Sequence, residues 1–237
     1  AALQAALESA GVQADISGSE EWTPVLAIGS NASPEQLQRK FCEFPDAVVP
    51  AVKGMLHDFE VVYAPLISSY GSVTATLEHS PGTSVEVFVT YLAEDLLQRM
   101  HETEACYDLL KLFNLRLELN NGRMLREVLQ YNHQAGTLHM EHEGDRVPFA
   151  LAEIPAKGRR FPALEQEEMQ ARVKSVLAEE SDRAGLSELE HFIVSNLEDQ
   201  NIRRGRVEEL IARAEPFKYP HAERIQALGS MYDRSVE

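Results

Sequence analysis

The chain has 237 residues, 44% of them apolar, and a net charge of −16. With a pI near 4.9 it repels phosphate backbones, which argues against sequence-general nucleic-acid binding. No apolar run approaches the ~18 residues of a membrane span, and the length suits one full core with a small appendage.

The first residues carry no signal-peptide pattern and start at Ala1 rather than Met, which reads as a processed or expression-derived start. Residues 1–22 mix Ala-rich helix propensity with Gly11 and Gly18 and read as a tail or short helix. Val25 to Ile28 is the first expected strand. It enters a Gly29-Ser30-Asn31 turn, and Ser33-Pro34 then reads as N-cap and N1 of a helix reaching about Phe41. Val48 to Tyr63 reads as one or two strands interrupted near Gly54, and Pro65 to Ser72 as a loop.

Val73 to Leu77 reads as a strand, Ser80-Pro81-Gly82 as its turn, and Val85 to Tyr91 as the return strand. Leu96, Leu97 and Met100 share one face of an expected helix from Ala93 to about Glu104. Leu109–Leu119 and Met124–Tyr131 flank Asn120-Asn121-Gly122, a strong hairpin signal. A second hairpin is expected over Thr137–Met140 and Val147–Ile154, turned at Glu143-Gly144-Asp145. After the Gly158–Pro162 loop, apolar residues at helical spacing predict helices near 163–179, 186–199 and 203–214. The expectation is an α+β chain with an antiparallel or mixed, barrel-like β core, inserted helices and a C-terminal helical extension, not a doubly wound parallel sheet.

These motifs, in this order, resemble the gamma-glutamylcyclotransferase-like family. That family runs a strand into Tyr-Gly-Ser-Asn, often with Met-Ser-Pro-Glu and a helix behind it. Here the stretch is Ile28-Gly29-Ser30-Asn31-Ala32-Ser33-Pro34-Glu35. The family's later strand, Pro-Gly turn, strand and helix ending in acids look like Ala75-Thr76-Leu77, Ser80-Pro81-Gly82, Val85 to Tyr91 and His101-Glu102-Thr103-Glu104. The likeness runs from about Pro24 to Leu177, giving expected units at 1–22, 23–180 (the family-like domain) and 181–237. Ile28 stands where the family has tyrosine, and Ala105 where a glycine commonly follows the acid.

The resemblance implies an intramolecular aminolysis that releases 5-oxoproline and an amine from a γ-glutamyl amide. It makes Glu104 the acid/base, with Glu102 as runner-up. It makes Ile28, Gly29, Ser30, Asn31 and Tyr107 the substrate-binding residues, and requires neither cofactor nor metal. Backbone N–H groups of a Gly-Ser turn suit a carboxylate or an oxyanion. Ser30 lacks a nucleophile elbow and a placed His. Two alternatives stay open: a catalytically silent fold that binds a metabolite or protein, and a related amide hydrolase or acyltransferase.

Other clusters read blandly. His133, His139 and His142 lack metal spacing and read as surface histidines. Arg159 and Arg160 read as a solvated loop, and Arg203, Arg204 and Arg206 as charge balance for Glu198-Asp199. Cys42 and Cys106 read as free thiols of a cytoplasmic protein. The partner expected is a small γ-glutamyl substrate, with no nucleic acid and no membrane. A homodimer or a protein partner is expected through the C-terminal helices.

Overall fold

The computed structural model describes residues 22–181 and 189–228, so the expected N-terminal tail or helix lies outside the described residues. Five strands close into a barrel. They are β1 (Thr23–Ala27), β2 (Ala51–Ile67), β3 (Val73–Leu92), β4 (Tyr107–Leu119) and β5 (Met124–His133). The ring runs β2-β3-β1-β5-β4 and returns to β2. Its pairings are antiparallel except β1 with β5, which is parallel and registers Val25 with Leu129. The fold is therefore α+β with a mixed, closed barrel, as the pattern predicts.

Closure depends on Gly54. It pairs with Leu119 of β4, and a Cβ there would stand 2.9 Å from both the Glu118 carbonyl oxygen and Leu119 Cδ2. The expected interruption at Gly54 is absent: the strand runs straight through, because the missing side chain makes room for β4. Leu26, Leu56, Val87, Leu112, Leu117 and Val128 fill the interior. In β4, Asn114 takes φ 57° at a bulge, so Leu110 and Leu112 before it and Leu115, Leu117 and Leu119 after it all bury.

The largest departure from expectation is β3. The Ser80-Pro81-Gly82 stretch is not a hairpin turn but a bulge inside one 20-residue strand. Asp58 (φ 65°) and Gly82 (φ 89°) both take left-handed backbone, and Gly82 N–H donates to Asp58 Oδ1 at 2.8 Å. The partner strand β2 supplies the acceptor that locks the bend. Beyond it, Phe59–Ile67 and Val73–His79 continue as an arm, so residues 65–67 of the expected 65–72 loop are strand and the loop is residues 68–72. The first later hairpin matches expectation, with Asn120–Gly122 joining β4 to β5. The second turns at Glu143-Gly144 as expected, but β6 (Thr137–His142) pairs with a return strand β7 (Asp145–Pro148) that starts earlier and stops well short of Ile154. The short strands β8 (Ala150–Leu151), β9 (Ala156–Lys157) and β10 (Ala163–Leu164) then edge the main sheet.

The described residues hold five α-helices: α1 (Pro34–Lys40), α2 (Glu94–Thr103), α3 (Gln166–Ser181), α4 (Leu189–Glu198) and α5 (Gln200–Ile211). α1 and α2 bury Phe41, Leu96, Leu97 and Met100 against the outside of the barrel at Val25, Leu92 and Tyr131. α3 to α5 share a second core with the β2–β3 arm, where Met169, Val173, Phe192 and Leu210 meet Tyr63 and Phe149. Of the apolar residues whose spacing marks these helices, Leu189, Ile193 and Leu197 on α4 and Val207, Leu210 and Ile211 on α5, two do not bury: Leu197 is 45% and Ile211 43% exposed, while Phe192 and Asn196 bury instead. Nor are Arg203 and Arg206 charge balance. Both are buried; Arg203 donates to the Asn196 carbonyl, and Arg206 donates to Phe192 O at 3.1 Å and Asn196 Oδ1 at 2.8 Å, closing the end of α4. Two further strands were not expected. β11 (Ala214–Glu215) joins β6, and β12 (Ala222–Ala227) adds to β4. Among the described residues no helix is long and apolar enough to cross a membrane.

Replacing Gly54 by Val should push β2 and β4 apart at the seam and cost roughly 1–3 kcal/mol. The expected readout is a lower urea midpoint with the same slope; an unchanged midpoint would mean the seam is not tight.

Candidate functional site

At one end of the barrel lies a cavity of about 700 Å³, and Ile28, Gly29, Ser30, Asn31, Glu104 and Tyr107 all line it. The volume suits a small molecule. The fold brings them together from distant positions. β1 ends at Ala27 and hands the chain to a single 3-10 turn, Ser30–Ala32. α2 ends at Thr103, leaving Glu104 as the residue that closes the helix. The left-handed position of the following turn is Cys106 (φ 72°), so Ala105 needs no glycine there.

The 3-10 turn satisfies the carbonyls of Gly29 and Ser30 through Ala32 N–H (3.0 Å) and Ser33 N–H (2.9 Å). The N–H groups of Gly29, Ser30 and Asn31 donate to no acceptor among the described residues. Gly29 lets the loop lie close to β3: a Cβ there would stand 3.3 Å from that of Ala75, a tight contact.

Glu104 is 8% exposed and is not alone. Lys40 Nζ forms an ion pair with its Oε1, and Asn31 Nδ2 donates to the same oxygen at 3.0 Å. Lys40 also donates to Asn31 Oδ1 at 2.7 Å, which fixes the amide's orientation. No donor among the described residues reaches Oε2 of Glu104. Glu102 points away and pairs with Arg99 at 2.9 Å. Arg99 also donates to the Lys40 carbonyl at 3.1 Å, tying the end of α1 to α2.

Lys40 was missed in the sequence. Alone it reads as an ordinary cation in a helix's last turn, where it suits the macrodipole. The available signal was its spacing: Leu37, Lys40 and Phe41 fall on one face at i, i+3 and i+4, and Leu37 and Phe41 both pack into the core. Gln130 is a second missed residue. It is buried, lines the cavity and donates to Tyr131 O at 2.7 Å.

Two tyrosines border the carboxylate. The Tyr107 hydroxyl faces Thr74 Oγ1 at 2.8 Å and the Ala75 carbonyl at 3.2 Å, and burial pushes its phenol above the usual range. Tyr131 shares a hydrogen bond with His101 Nδ1 at 2.8 Å, and burial, with the nearby Glu104 charge, raises its phenol too. The mouth is edged by residues 68–72, where Tyr70 is exposed. That loop is braced by Gln170 of α3, which donates to the Gly71 carbonyl at 2.8 Å.

Other expectations need correction. His133 is a buried histidine, not a surface one, and stacks edge-on against Tyr107 at 5.5 Å. Arg159 is not solvated: it donates to the Leu151 carbonyl at 3.1 Å and to the Ile154 carbonyl, and lies 3.7 Å from the buried Glu60. Among the described residues no group of three His, Cys, Asp or Glu side chains could hold a metal ion.

No family model and no curated protein matches the sequence. Among solved structures, the chain is similar to an uncharacterized protein from Homo sapiens at 14% identity, over 84% of this chain and 92% of that one, with a TM-score of 0.40. A gamma-glutamyl cyclotransferase shows 14% identity over 84% and 92% of the two chains, with a TM-score of 0.39. A protein from Arabidopsis thaliana shows 15% identity over 70% and 91%, with a TM-score of 0.41.

The buried His133 yields a pH prediction. Burial pushes its pKa down to about 4 from an ordinary 6.5. The unfolded chain therefore takes up this proton first, so the residue's contribution to stability is full above about pH 6.5 and is lost as pH falls towards 4, by at most about 3 kcal/mol. His133→Gln should lose less stability than the wild type between pH 7 and pH 4.5 in urea unfolding. Equal losses would show that this imidazole does not drive the dependence.

Proposed function

We propose that the protein is a gamma-glutamylcyclotransferase-like enzyme that opens a γ-glutamyl amide by cyclisation. The substrate's α-amine and γ-carbonyl are already tethered, so the site need only favour the cyclising conformer. Glu104 Oε2 takes a proton from the α-ammonium. The freed amine attacks the γ-carbonyl carbon, and a tetrahedral oxyanion forms. The amide C–N bond then breaks as Glu104, now the acid, returns the proton to the leaving nitrogen, and the second proton on the attacking nitrogen passes to the released amine, so that a neutral lactam and an ammonium result. The products are 5-oxoproline and an amine. Neither metal nor organic cofactor enters this sequence.

One observation carries the reading. Three consecutive backbone N–H groups without acceptors among the described residues lie beside a carboxylate whose second oxygen is also unengaged. Such N–H groups are a natural seat for the substrate's α-carboxylate or the oxyanion. The order of motifs along the sequence supports the same reading. Cys42 and Cys106, both outside any disulfide, fit a reducing, cytoplasmic setting.

Glu104→Gln keeps the size and the hydrogen bonds of the side chain but cannot accept the proton. Turnover should fall by about 10²–10⁴-fold with the fold retained at lower stability, because Lys40 loses its counter-charge. Chromatographic product analysis on a panel of γ-glutamyl amino acids and γ-glutamylamines should find 5-oxoproline. Free glutamate would mean a hydrolase, and no product at all a binding protein. More than a tenth of the wild-type rate in Glu104→Gln would contradict the acid/base role.

Position 28 should read the substrate. Ile28 packs with the barrel interior and lines the cavity, where it presents an apolar wall. A phenol there could add one neutral hydrogen bond, worth about 0.5–1.5 kcal/mol, or roughly ten-fold. Ile28→Tyr should therefore shift kcat/KM ratios across the panel towards γ-glutamyl dipeptides. Unchanged ratios would remove Ile28 from the specificity account.

A further inference from the structure

The proposed reaction requires Glu104 to meet the amine as a carboxylate, although its side chain is only 10% exposed. A carboxylate removed from water reverts to the neutral acid unless a cation or several donors replace its hydration. The titratable groups placed beside it are Lys40 from α1, Tyr107 at the start of β4 and Tyr131 from β5, with His101 of α2 behind Tyr131; Tyr70 and Cys106 lie near Tyr107, and Tyr70 lines the same cavity. Burial lowers the His101 pKa, and its Nδ1 is already engaged by the Tyr131 hydroxyl. Among the described residues, Lys40 is the cation in contact with the carboxylate.

Lys40 is 8% exposed, and its position in the cavity wall allows two roles. It could hold the substrate's carboxylate, or it could hold the protein's own groups. Its hydrogen bonds decide between them. An ammonium has three N–H donors, and Lys40 Nζ has three acceptors: Glu104 Oε1, Asn31 Oδ1 at 2.7 Å and, more weakly, Met100 Sδ at 3.4 Å. No N–H is left to point at a ligand. All three acceptors belong to the loop and helix that form the site.

We propose that Lys40 is a positioning residue, which holds the Glu104 carboxylate and the Asn31 amide in one cluster so that only Glu104 Oε2 is presented to the substrate amine. It leaves the substrate's carboxylate to the backbone N–H groups of residues 29–31. The inference rests on the reaction proposed above, and its test has an arm that needs no substrate.

The test compares wild type, Lys40→Met and Lys40→Arg by pH–rate profile and by ¹³C NMR titration of the Glu104 carboxyl carbon, assigned by its loss in Glu104→Gln. An opposite charge at this range shifts a carboxyl by about 1–3 pH units. In Lys40→Met, the acid limb of kcat/KM and the carboxyl titration should both move up by at least about one unit. Lys40→Arg should restore both towards wild type. If Lys40→Met does not fold, Lys40→Gln, which keeps a donor for Asn31 but drops the charge, is read in the same way. An unmoved carboxyl titration overturns the proposal. So does a ten-fold rise in KM with an unmoved acid limb, which would make Lys40 a substrate ligand. If no γ-glutamyl compound turns over but the carboxyl titration moves, the reaction fails as a reading while the hold of Lys40 on Glu104 stands.

Discussion

The barrel exists because β4 can lie flat against β2 at Gly54, and everything that makes the site follows from that closure. A five-stranded ring must join its first and last strands, and a side chain at this position would run into the backbone of Glu118. With the ring closed, β1 is gripped between β3 and β5 and its end is fixed. Past that end, Asn132 of β5 bridges to β3 by accepting from Thr76 Oγ1 and Leu77 N–H, each at 2.9 Å. The Gly29–Asn31 loop is thus delivered to a set place at the rim, beside the end of the helix that carries Glu104.

What happens at that place is a problem of charge in a site largely shut off from water. Burial disfavours an isolated carboxylate, and it disfavours an isolated ammonium as much. Lys40 and Glu104 offset each other, and Asn31 satisfies both with its two ends. Breaking such a buried pair by deleting one partner is costly, because the other is left uncompensated. The cluster also ties α1 to α2 and both to the loop, so the geometry of the carboxylate and the placement of the loop are one constraint. The C-terminal helices reach the same cavity from the other side, through the hydrogen bond of Gln170 to the loop that carries Tyr70.

Much of this was legible in the chain. Apolar and β-branched runs found most of the strands, Asn120-Asn121-Gly122 found its hairpin, and Leu96, Leu97 and Met100 found the buried face of α2. The loop and Glu104 could be named because short motifs mark them. The misses share a physical cause: each depends on a partner in another element of the fold. Pro81-Gly82 has the local chemistry of a turn, and only Asp58 on the neighbouring strand makes it a bulge. Gly54 looks like a strand breaker until β4 lies across it. Arg203 and Arg206 look like surface charge until the carbonyls at the end of α4 are in place. Lys40 looks like any helix-terminal lysine until Glu104, 64 residues away, arrives beside it. β12 reads as a weak, largely exposed strand because its pairing with β4 supplies what its own sequence does not.

The central claim is that the loop holds the substrate's glutamyl end while Glu104 Oε2 faces its nitrogen. A crystal structure with 5-oxoproline bound tests this most directly, since the product keeps the carboxylate and the nitrogen that the mechanism assigns to those two groups. The account predicts the product carboxylate on the N–H groups of Gly29 to Asn31, and its ring nitrogen within hydrogen-bond distance of Glu104 Oε2. A product seated elsewhere, or seated here with its carboxylate on Lys40 and its nitrogen turned away from Glu104, would contradict it.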